Sequence, residues 1–116
     1  MKRLLCLLFL LLSADTASAI NVRFLKDTVI SKMTEDDISH FERALADSLD
    51  RLPDGGRMQW SNPETGAQGI IALDETYTQA GLNCRKVRVR NRKGETEGTA
   101  NRWNLCKTEA GWKIAP

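Results

Sequence analysis

The spacing of apolar residues divides the chain into a helical part followed by a part made of strands. Five apolar residues recur at intervals of three or four positions: Ile38, Phe41, Leu45, Leu49 and Leu52. This spacing is the period of a helix that buries one face. Thr34 lies three positions before Asp37, which is the spacing of a capping box, and Pro53 begins a turn at the other end. The pattern predicts an amphipathic helix between Thr34 and Pro53.

The stretch that precedes this helix, residues 21–30, has a weaker pattern. Its apolar residues Val22, Phe24 and Val29 alternate only loosely with polar ones. A short strand and an ordered arm both fit such a stretch, and the sequence leaves both interpretations open.

Beyond residue 57 the apolar period changes to two, and turn residues recur about every ten positions, which is typical of an antiparallel meander. A strand over residues 68–78 places Ile71, Leu73 and Tyr77 on one side. Gly81 then breaks this strand, because glycine is a frequent turn residue. The second part of the chain is therefore predicted to be a sheet.

Two further strands are predicted over residues 84–91 and 99–106, with a closing strand over residues 112–114. The resulting fold class is α+β, with an N-terminal amphipathic helix packed on a four- or five-stranded antiparallel meander. The expected core consists of apolar residues from all of these elements: Ile38, Phe41, Leu45, Ile71, Val87, Val89, Trp103 and Trp112.

Residues 1–19 have the three parts of a cleavable export signal. Lys2 and Arg3 precede the apolar run 4–12, and the run ends before the small residues 17–19. A retained membrane anchor is the alternative, but this run is far shorter than the roughly 20 apolar residues that a bilayer core requires. We expect cleavage before Ile20, which leaves residues 20–116 as a single mature domain without a transmembrane segment.

The mature chain retains two cysteines, Cys84 and Cys106, and export places them in an oxidising compartment. When they lie opposite each other in antiparallel strands, Val87 lies opposite Trp103, so the disulfide and the apolar face require the same register. Arg88 then faces another arginine, which is mildly unfavourable. A redox or metal site is the alternative, but no C-x-x-C pair or set of histidine ligands is present. We interpret the pair as one structural disulfide.

Charge argues against one kind of partner and suggests another. Without residues 1–19 the net charge is about +1, which gives no indication of nucleic-acid binding. The densest charge cluster lies at residues 85–93, where Lys86, Arg88 and Arg90 share one face of a predicted strand. One interpretation is a solvated strand edge, partly neutralised by the acidic helix. The other is an anion-binding strip for lipopolysaccharide phosphate, peptidoglycan carboxylate or an acidic partner.

The sequence offers no recognisable catalytic, metal or cofactor site. Acidic residues such as Asp74 and Glu75 belong to no catalytic motif, and the hydroxyl residues lack a histidine base at a known spacing. The only histidine, His40, lies off the apolar stripe and is interpreted as solvated. Trp60 and Trp112 fit either the core or a sugar-stacking platform. We expect a protein without enzyme activity, metal or cofactor.

A spaced series of turn, cysteine and aromatic residues runs through the second half of the chain. It comprises Trp60-Ser61-Asn62-Pro63-Glu64-Thr65-Gly66, Gly69, Tyr77, Gly81, Cys84-Arg85, Gly98, Cys106-Lys107 and Gly111-Trp112-Lys113-Ile114. In this order the residues resemble the C-terminal domain of the seventeen-kilodalton surface antigen family of Gram-negative bacterial envelope proteins. The resemblance covers about residues 52–116, and it implies an envelope or surface location without catalytic activity.

The chain departs from this family in its first half. Members are commonly lipoproteins with a glycine-rich, membrane-associating stretch, whereas here a predicted amphipathic helix stands in that place. We therefore expect an exported protein of the periplasm or outer surface of a Gram-negative bacterium. Its expected function is that of a binding or structural module of the envelope. The alternative is an inhibitor or adaptor that docks on another exported protein.

Overall fold

The computed structural model describes Ile20, Val22 and residues 28–115. The predicted export signal, residues 1–19, lies outside the described residues, as does most of the stretch 21–27. In the part of the chain that the structure describes, no helix combines the length and the apolar character that crossing a bilayer requires.

The helix predicted from the apolar stripe is α2 (Glu35–Arg51). Thr34 is its N-cap, and the hydroxyl of Thr34 accepts a hydrogen bond of 3.1 Å from the Asp37 N–H. The Asp37 carboxylate in turn accepts a 3.0 Å bond from the Thr34 N–H, so the predicted capping box is confirmed. Leu52 follows as the C-cap, where Pro53 prevents the helix from continuing.

A short helix, α1 (Thr28–Lys32), precedes α2. Val29, Ile30 and Met33 are all buried, and their spacing matches one face of a helical turn. The strand interpretation of this stretch is therefore wrong for its described end, whereas Ile20 and Val22 are buried in the core, which agrees with an ordered arm. The loose alternation of apolar residues upstream did not reveal this turn.

The remaining described residues contain six strands in one antiparallel sheet. Their bounds are β1 (Arg57–Asn62), β2 (Ala67–Gln79), β3 (Leu82–Lys93), β4 (Thr96–Glu97), β5 (Asn101–Thr108) and β6 (Gly111–Ile114). The sheet order is β1-β2-β3-β5-β6, and β4 pairs with β3. The α+β class is confirmed. The strand number exceeds the expected four or five because two residues after the Gly94 turn pair back onto β3.

The predicted register between β3 and β5 is confirmed. Cys84 lies opposite Cys106, Val87 lies opposite Trp103, and the disulfide is formed with a Cα–Cα distance of 4.0 Å. The like-charge pair is present as well, since Arg88 faces another arginine across the two strands. Both cysteines are fully buried. The disulfide therefore joins two strands in the interior of the sheet.

β2 changes face at a bulge. The register skips Asp74 between Leu73 and Glu75, so the residues that follow point to the opposite sides from those expected. Tyr77 consequently lies on the face away from α2, where the Lys86 ammonium is 5.8 Å from the centre of its ring. The prediction that Tyr77 shares a face with Leu73 is wrong, because simple alternation does not reveal a bulge.

The core lies between α2 and the inner face of the sheet. Phe41 of α2 stacks on Trp60 of β1 with ring centres 5.5 Å apart, and both side chains are buried. The predicted core residues are buried as expected, except that Trp103 is only partly buried against them. The outer face of the sheet points away from α2. On the central strand β3 this face carries polar and charged side chains.

Replacing Cys84 and Cys106 together by serine is expected to lower the free energy of unfolding by about 3 kcal/mol. The bond joins residues 22 positions apart, so its loss frees a long loop in the unfolded chain. The fold should persist, because the register also depends on apolar pairs. Thermal or denaturant unfolding of both proteins measures the effect. Two titratable thiols in the native exported protein would contradict the bond.

Candidate functional site

Lys86, Arg88 and Arg90 lie on the outer face of β3. Alternation along the strand turns Val87 and Val89 into the core and these three cations outward. The side chains of Lys86 and Arg88 are 49% and 48% exposed. The structure therefore brings the three predicted residues together on one surface.

The interpretation of this strip as a strand edge is wrong. β3 lies between β2 and β5, so both of its backbone sides are paired. The sequence was misleading here because a charged edge strand and a central strand with one solvated face share the same alternation. The consequence for the site is rigidity, since a central strand is held from both sides.

Two of the three cations already have partners on the surface. The Arg88 guanidinium donates to both carboxylate oxygens of Asp74, at 2.8 and 2.9 Å. The Lys86 ammonium lies 3.4 Å from the Glu75 carboxylate. Arg90 is exposed, and within the described residues it forms no salt bridge.

The same outer face carries two arginines that the sequence did not point out as part of a site. Arg57 lies opposite Ala72, Ala72 opposite Arg88, and Arg88 opposite Arg102, which makes one row across four strands. Arg57 and Arg102 are both exposed. The register predicted for β3 and β5 already placed Arg102 opposite Arg88, whereas the position of Arg57 depends on β1 and β2.

Arg85 belongs to a different environment from the strip, although it is adjacent in sequence. Its side chain is buried on the inner face and donates 2.8 Å to the Leu49 carbonyl near the end of α2. It also donates to the Thr76 hydroxyl at 3.0 Å and pairs with Asp54 at 3.1 Å. A cation at this end of a helix stabilises carbonyls that lack an intrahelical partner. Arg85 is therefore a structural residue.

The other end of α2 is held by the buried carboxylate of Asp37. Lys93 donates to it at 2.7 Å and Asn62 at 2.8 Å, and the Thr65 hydroxyl donates as well. Burial raises the pKa of Asp37, but the hydrogen bonds from Lys93, Thr65, the Thr34 N–H and Asn62 outweigh it, so the pKa lies below its usual range. The Asn62–Gly66 turn is thus a clamp on the helix N-terminus.

The tryptophans with open interpretations lie in the interior. Trp60 is buried, and its indole N–H donates 3.0 Å to the Asn91 side chain. Gly69 lies against this bond, where a Cβ would collide with both partners. Trp112 is also buried and donates 2.9 Å to Asp50. These side chains support the core interpretation, since neither ring is free to form a platform.

The histidine of α2 has an ordinary surface partner. His40 is half-buried and its Nε2 lies 3.6 Å from the carboxylate of Asp36, one turn earlier on α2. Among the described residues, no group of three or more histidine, cysteine, aspartate or glutamate side chains is arranged to hold a metal ion.

Comparison with protein families gives one result. Residues 47–113, which run from the last turns of α2 into β6, match the family described as 17 kDa outer membrane surface antigen. Neither the curated proteins nor the solved structures compared with the chain include a match. The matched range contains the disulfide, the Asn62–Gly66 turn and the outer-face arginines, and it is more than half of the chain. The chain therefore belongs to the 17 kDa outer membrane surface antigen family, whose description places it in the cell envelope.

Proposed function

We propose that the protein is a non-catalytic module of the cell envelope that binds an anionic envelope component through Lys86, Arg88 and Arg90. The component would be lipopolysaccharide, with its phosphates, or peptidoglycan, with its carboxylates. The observation that carries the proposal is the presence of three exposed cations in line on a central strand. Membership of an outer membrane family supports the location. The predicted export signal supports a location in the periplasm or on the outer surface.

The strip has two properties that an anion-binding surface needs. Its backbone is held by β2 and β5, and the disulfide at Cys84 closes one end of β3 against β5. The ion pairs of Lys86 and Arg88 are exposed, and exposed pairs contribute little, so an external anion can replace the carboxylates at small cost. Arg90 is available without any such exchange. Recognition by a guanidinium also gains from bidentate geometry.

A non-catalytic role agrees with how the carboxylates of the fold are used. Asp37 is buried in the clamp, Asp74 binds Arg88, and Asp54 binds Arg85. Each of these three carboxylates therefore serves as the partner of a cation within the fold. The proposal assigns the chain binding and no reaction.

Retention on isolated envelope or on lipopolysaccharide is expected to fall as salt rises. Exposed charges are screened over a Debye length of about 8 Å at physiological ionic strength, so a contact made by the strip weakens across a salt series. The variant Lys86→Ala, Arg88→Ala, Arg90→Ala should lose most of its retention at low salt. Circular dichroism and thermal unfolding must first show that this variant folds.

A control that removes three cations from the opposite side keeps net charge matched. The control is the variant Arg43→Ala, Arg51→Ala, Lys107→Ala. Arg43 and Arg51 lie on α2, and Lys107 pairs with Asp50 of that helix. This control variant should be retained on the envelope nearly as well as wild type. Equal retention by both triple variants, or retention that salt leaves unchanged, would refute the strip as the binding surface.

An adaptor that docks on another exported protein is the second candidate. β6 is an edge strand of the described sheet. Ile114 on this strand is 46% exposed, and it is the exposed residue among the large apolar residues that the structure describes. An exposed edge strand can pair with a strand of a partner. Retention that resists salt but is lost in Ile114→Lys would favour the adaptor over the anion-binding module.

A further inference from the structure

The cationic surface of the sheet extends well beyond β3. We define the arginine face as the outward side chains that surround the apolar centre of the sheet, namely Arg57, Arg88, Arg90 and Arg102 around Ile70 and Ala72. The row from Arg57 to Arg102 crosses three strand spacings, or about 14 Å. The face is therefore broad, and it spans four strands.

Most of the charge on this face is not balanced within the described part of the molecule. Asp74 neutralises Arg88. Arg57, Arg90 and Arg102 are exposed and form no salt bridge with any described residue. Three guanidinium groups thus remain available to an external anion.

The space between the arginines is open and shallow. Arg57, Arg88 and Arg90 line a depression of about 180 Å³ whose floor includes Ile70 and Ala72. A wider depression of about 590 Å³ adjoins it along β1 and β2 and shares Ile70 and Arg90. Neither is a closed pocket for one small molecule, whereas both leave room for groups that project from a surface.

The opposite side of the molecule has the opposite charge. α2 contains six acidic and two basic residues, and its exposed positions include Glu35, Asp36, Asp47 and Asp50. A molecule with an acidic helix on one side and an arginine face on the other is oriented by a negatively charged surface. The arginine face would then point towards that surface and α2 away from it.

We propose that the arginine face docks flat on a membrane surface of phosphate-bearing lipid headgroups. This inference rests on the proposed envelope function and deepens it by naming the occupant. Arginine binds phosphate oxygens in a bidentate manner, and an array of headgroups offers several phosphates to exposed arginines that lie on different strands. Ile70, which is half-buried at the centre, faces the headgroup layer without adding charge. Arg57, Arg90 and Arg102 are the principal contacts, and Lys86 and Arg88 join them when a headgroup phosphate displaces Glu75 and Asp74.

The test uses the protein recovered from the exported fraction and two kinds of lipid vesicle. Vesicles of mixed phosphatidylglycerol and phosphatidylcholine should bind the protein at low ionic strength, and vesicles of phosphatidylcholine alone should not. Each basic residue near an anionic bilayer contributes about fivefold to binding. The variant Arg57→Gln, Arg90→Gln, Arg102→Gln should therefore bind the mixed vesicles on the order of 100-fold more weakly.

The matched control replaces Arg43, Arg51 and Lys107 on the helix side by glutamine, which removes the same net charge. It should bind within a few-fold of wild type, because these side chains point away from the bilayer. Equal losses in the two triple variants would overturn the assigned face, since binding would then follow net charge alone. Equal binding of wild type to neutral and mixed vesicles would also overturn it.

Two further outcomes separate this inference from the proposed function. Inorganic phosphate should displace the protein from vesicles no better than chloride at the same ionic strength. Selective displacement by phosphate would instead indicate a soluble phosphate ligand and overturn the membrane occupant. Salt-sensitive retention on the envelope together with no vesicle binding would refute only the lipid inference, whereas the absence of both would refute the proposed function as well.

Discussion

Asp37→Ala is expected to lower the free energy of unfolding by about 4 kcal/mol, which is the typical cost of removing one partner from a buried ion pair. The Asp37 side chain is fully buried, and the ammonium of Lys93 beside it is only 21% exposed. Without the carboxylate, that ammonium and the amide of Asn62 lose their acceptor. Part of the effect also comes from the N-cap, because the carboxylate accepts the Thr34 N–H.

Denaturant unfolding of wild type and variant gives the difference directly. Asp47→Ala is the matched control, because Asp47 is exposed on the same helix, and its loss should change stability by less than about 0.5 kcal/mol. Thr65→Val is a milder variant in case Asp37→Ala does not fold. It removes one hydrogen bond to the same carboxylate and should cost about 1 kcal/mol. Similar small effects at Asp37 and Asp47 would contradict the clamp.

The clamp also predicts how stability depends on pH. The pKa of Asp37 is lowered in the folded protein, where the bonds from Lys93, Thr65, Thr34 and Asn62 outweigh the effect of burial. A carboxyl with a lowered folded pKa contributes stability that is fully present above the unfolded value of about 3.9 and is lost as pH falls towards the folded value. Wild type should therefore lose stability below about pH 4.

Asp37→Asn isolates this contribution, because an amide does not titrate in that range. The difference in unfolding free energy between wild type and Asp37→Asn should shrink as pH falls below about 4. The comparison is needed because two further carboxyls are acid-sensitive in wild type. The Thr76 hydroxyl lowers the pKa of Asp54. Burial raises the pKa of Asp50, but the hydrogen bonds from Trp112 and Lys107 outweigh it, so this pKa is lowered too. A difference that stays constant from pH 6 to acid conditions would contradict the assignment to Asp37.

The sequence predicted those features that depend on local period or pairing. The spacing from Ile38 to Leu49 defined α2, and Thr34 with Asp37 defined where it begins. Cys84 and Cys106 indicated the register of two strands, because setting them opposite each other also placed Val87 opposite Trp103 on the apolar face. In each case the interacting residues either repeat at a fixed interval or lie on strands whose alternation is unbroken.

Features that depend on tertiary position were missed. The bulge at Asp74 reverses the alternation of side chains along β2, and the residue types around it do not reveal the bulge. Tyr77 was therefore assigned to the wrong face. The position of β3 in the sheet depends on which strands pair with it, and the alternation of residues along β3 does not reveal these partners. A central strand was therefore taken for an edge strand. The arginine face joins Arg57 and Arg102, which are far apart in sequence, and only the register across four strands brings them together.

The same limit explains why Arg85 was grouped with the exposed cations. Its strand parity matches Val87 and not Lys86, which indicated an inward side chain, but nothing in the sequence revealed what would receive it. The acceptor is the end of α2, because the Leu49 carbonyl meets the guanidinium only when helix and sheet are packed. A buried arginine of this kind is recognisable from parity once the strand is known.

Arg85→Ala is expected to lower the free energy of unfolding by about 3 to 4 kcal/mol. Truncation leaves the Leu49 carbonyl buried without its donor, which costs about 1 to 3 kcal/mol, and removes a cation from a helix C-terminus. The aliphatic part of the side chain, which is buried between α2 and the sheet, adds lost packing. The exposed pair with Asp54 adds little, because water screens it.

Arg85→Lys and Arg90→Ala are the comparisons that make this prediction specific. Lysine keeps the charge but lacks the planar fork of the guanidinium, so it cannot donate to the Leu49 carbonyl and the Thr76 hydroxyl in the same geometry. The free energy of unfolding of Arg85→Lys should therefore lie between those of wild type and Arg85→Ala. Arg90 is on the same strand but exposed, and its replacement should change stability by less than about 0.5 kcal/mol. Vesicle and envelope binding should show the reverse order, with Arg90→Ala impaired and folded Arg85→Lys unaffected. A stable, fully folded Arg85→Ala would contradict the structural role assigned to this side chain.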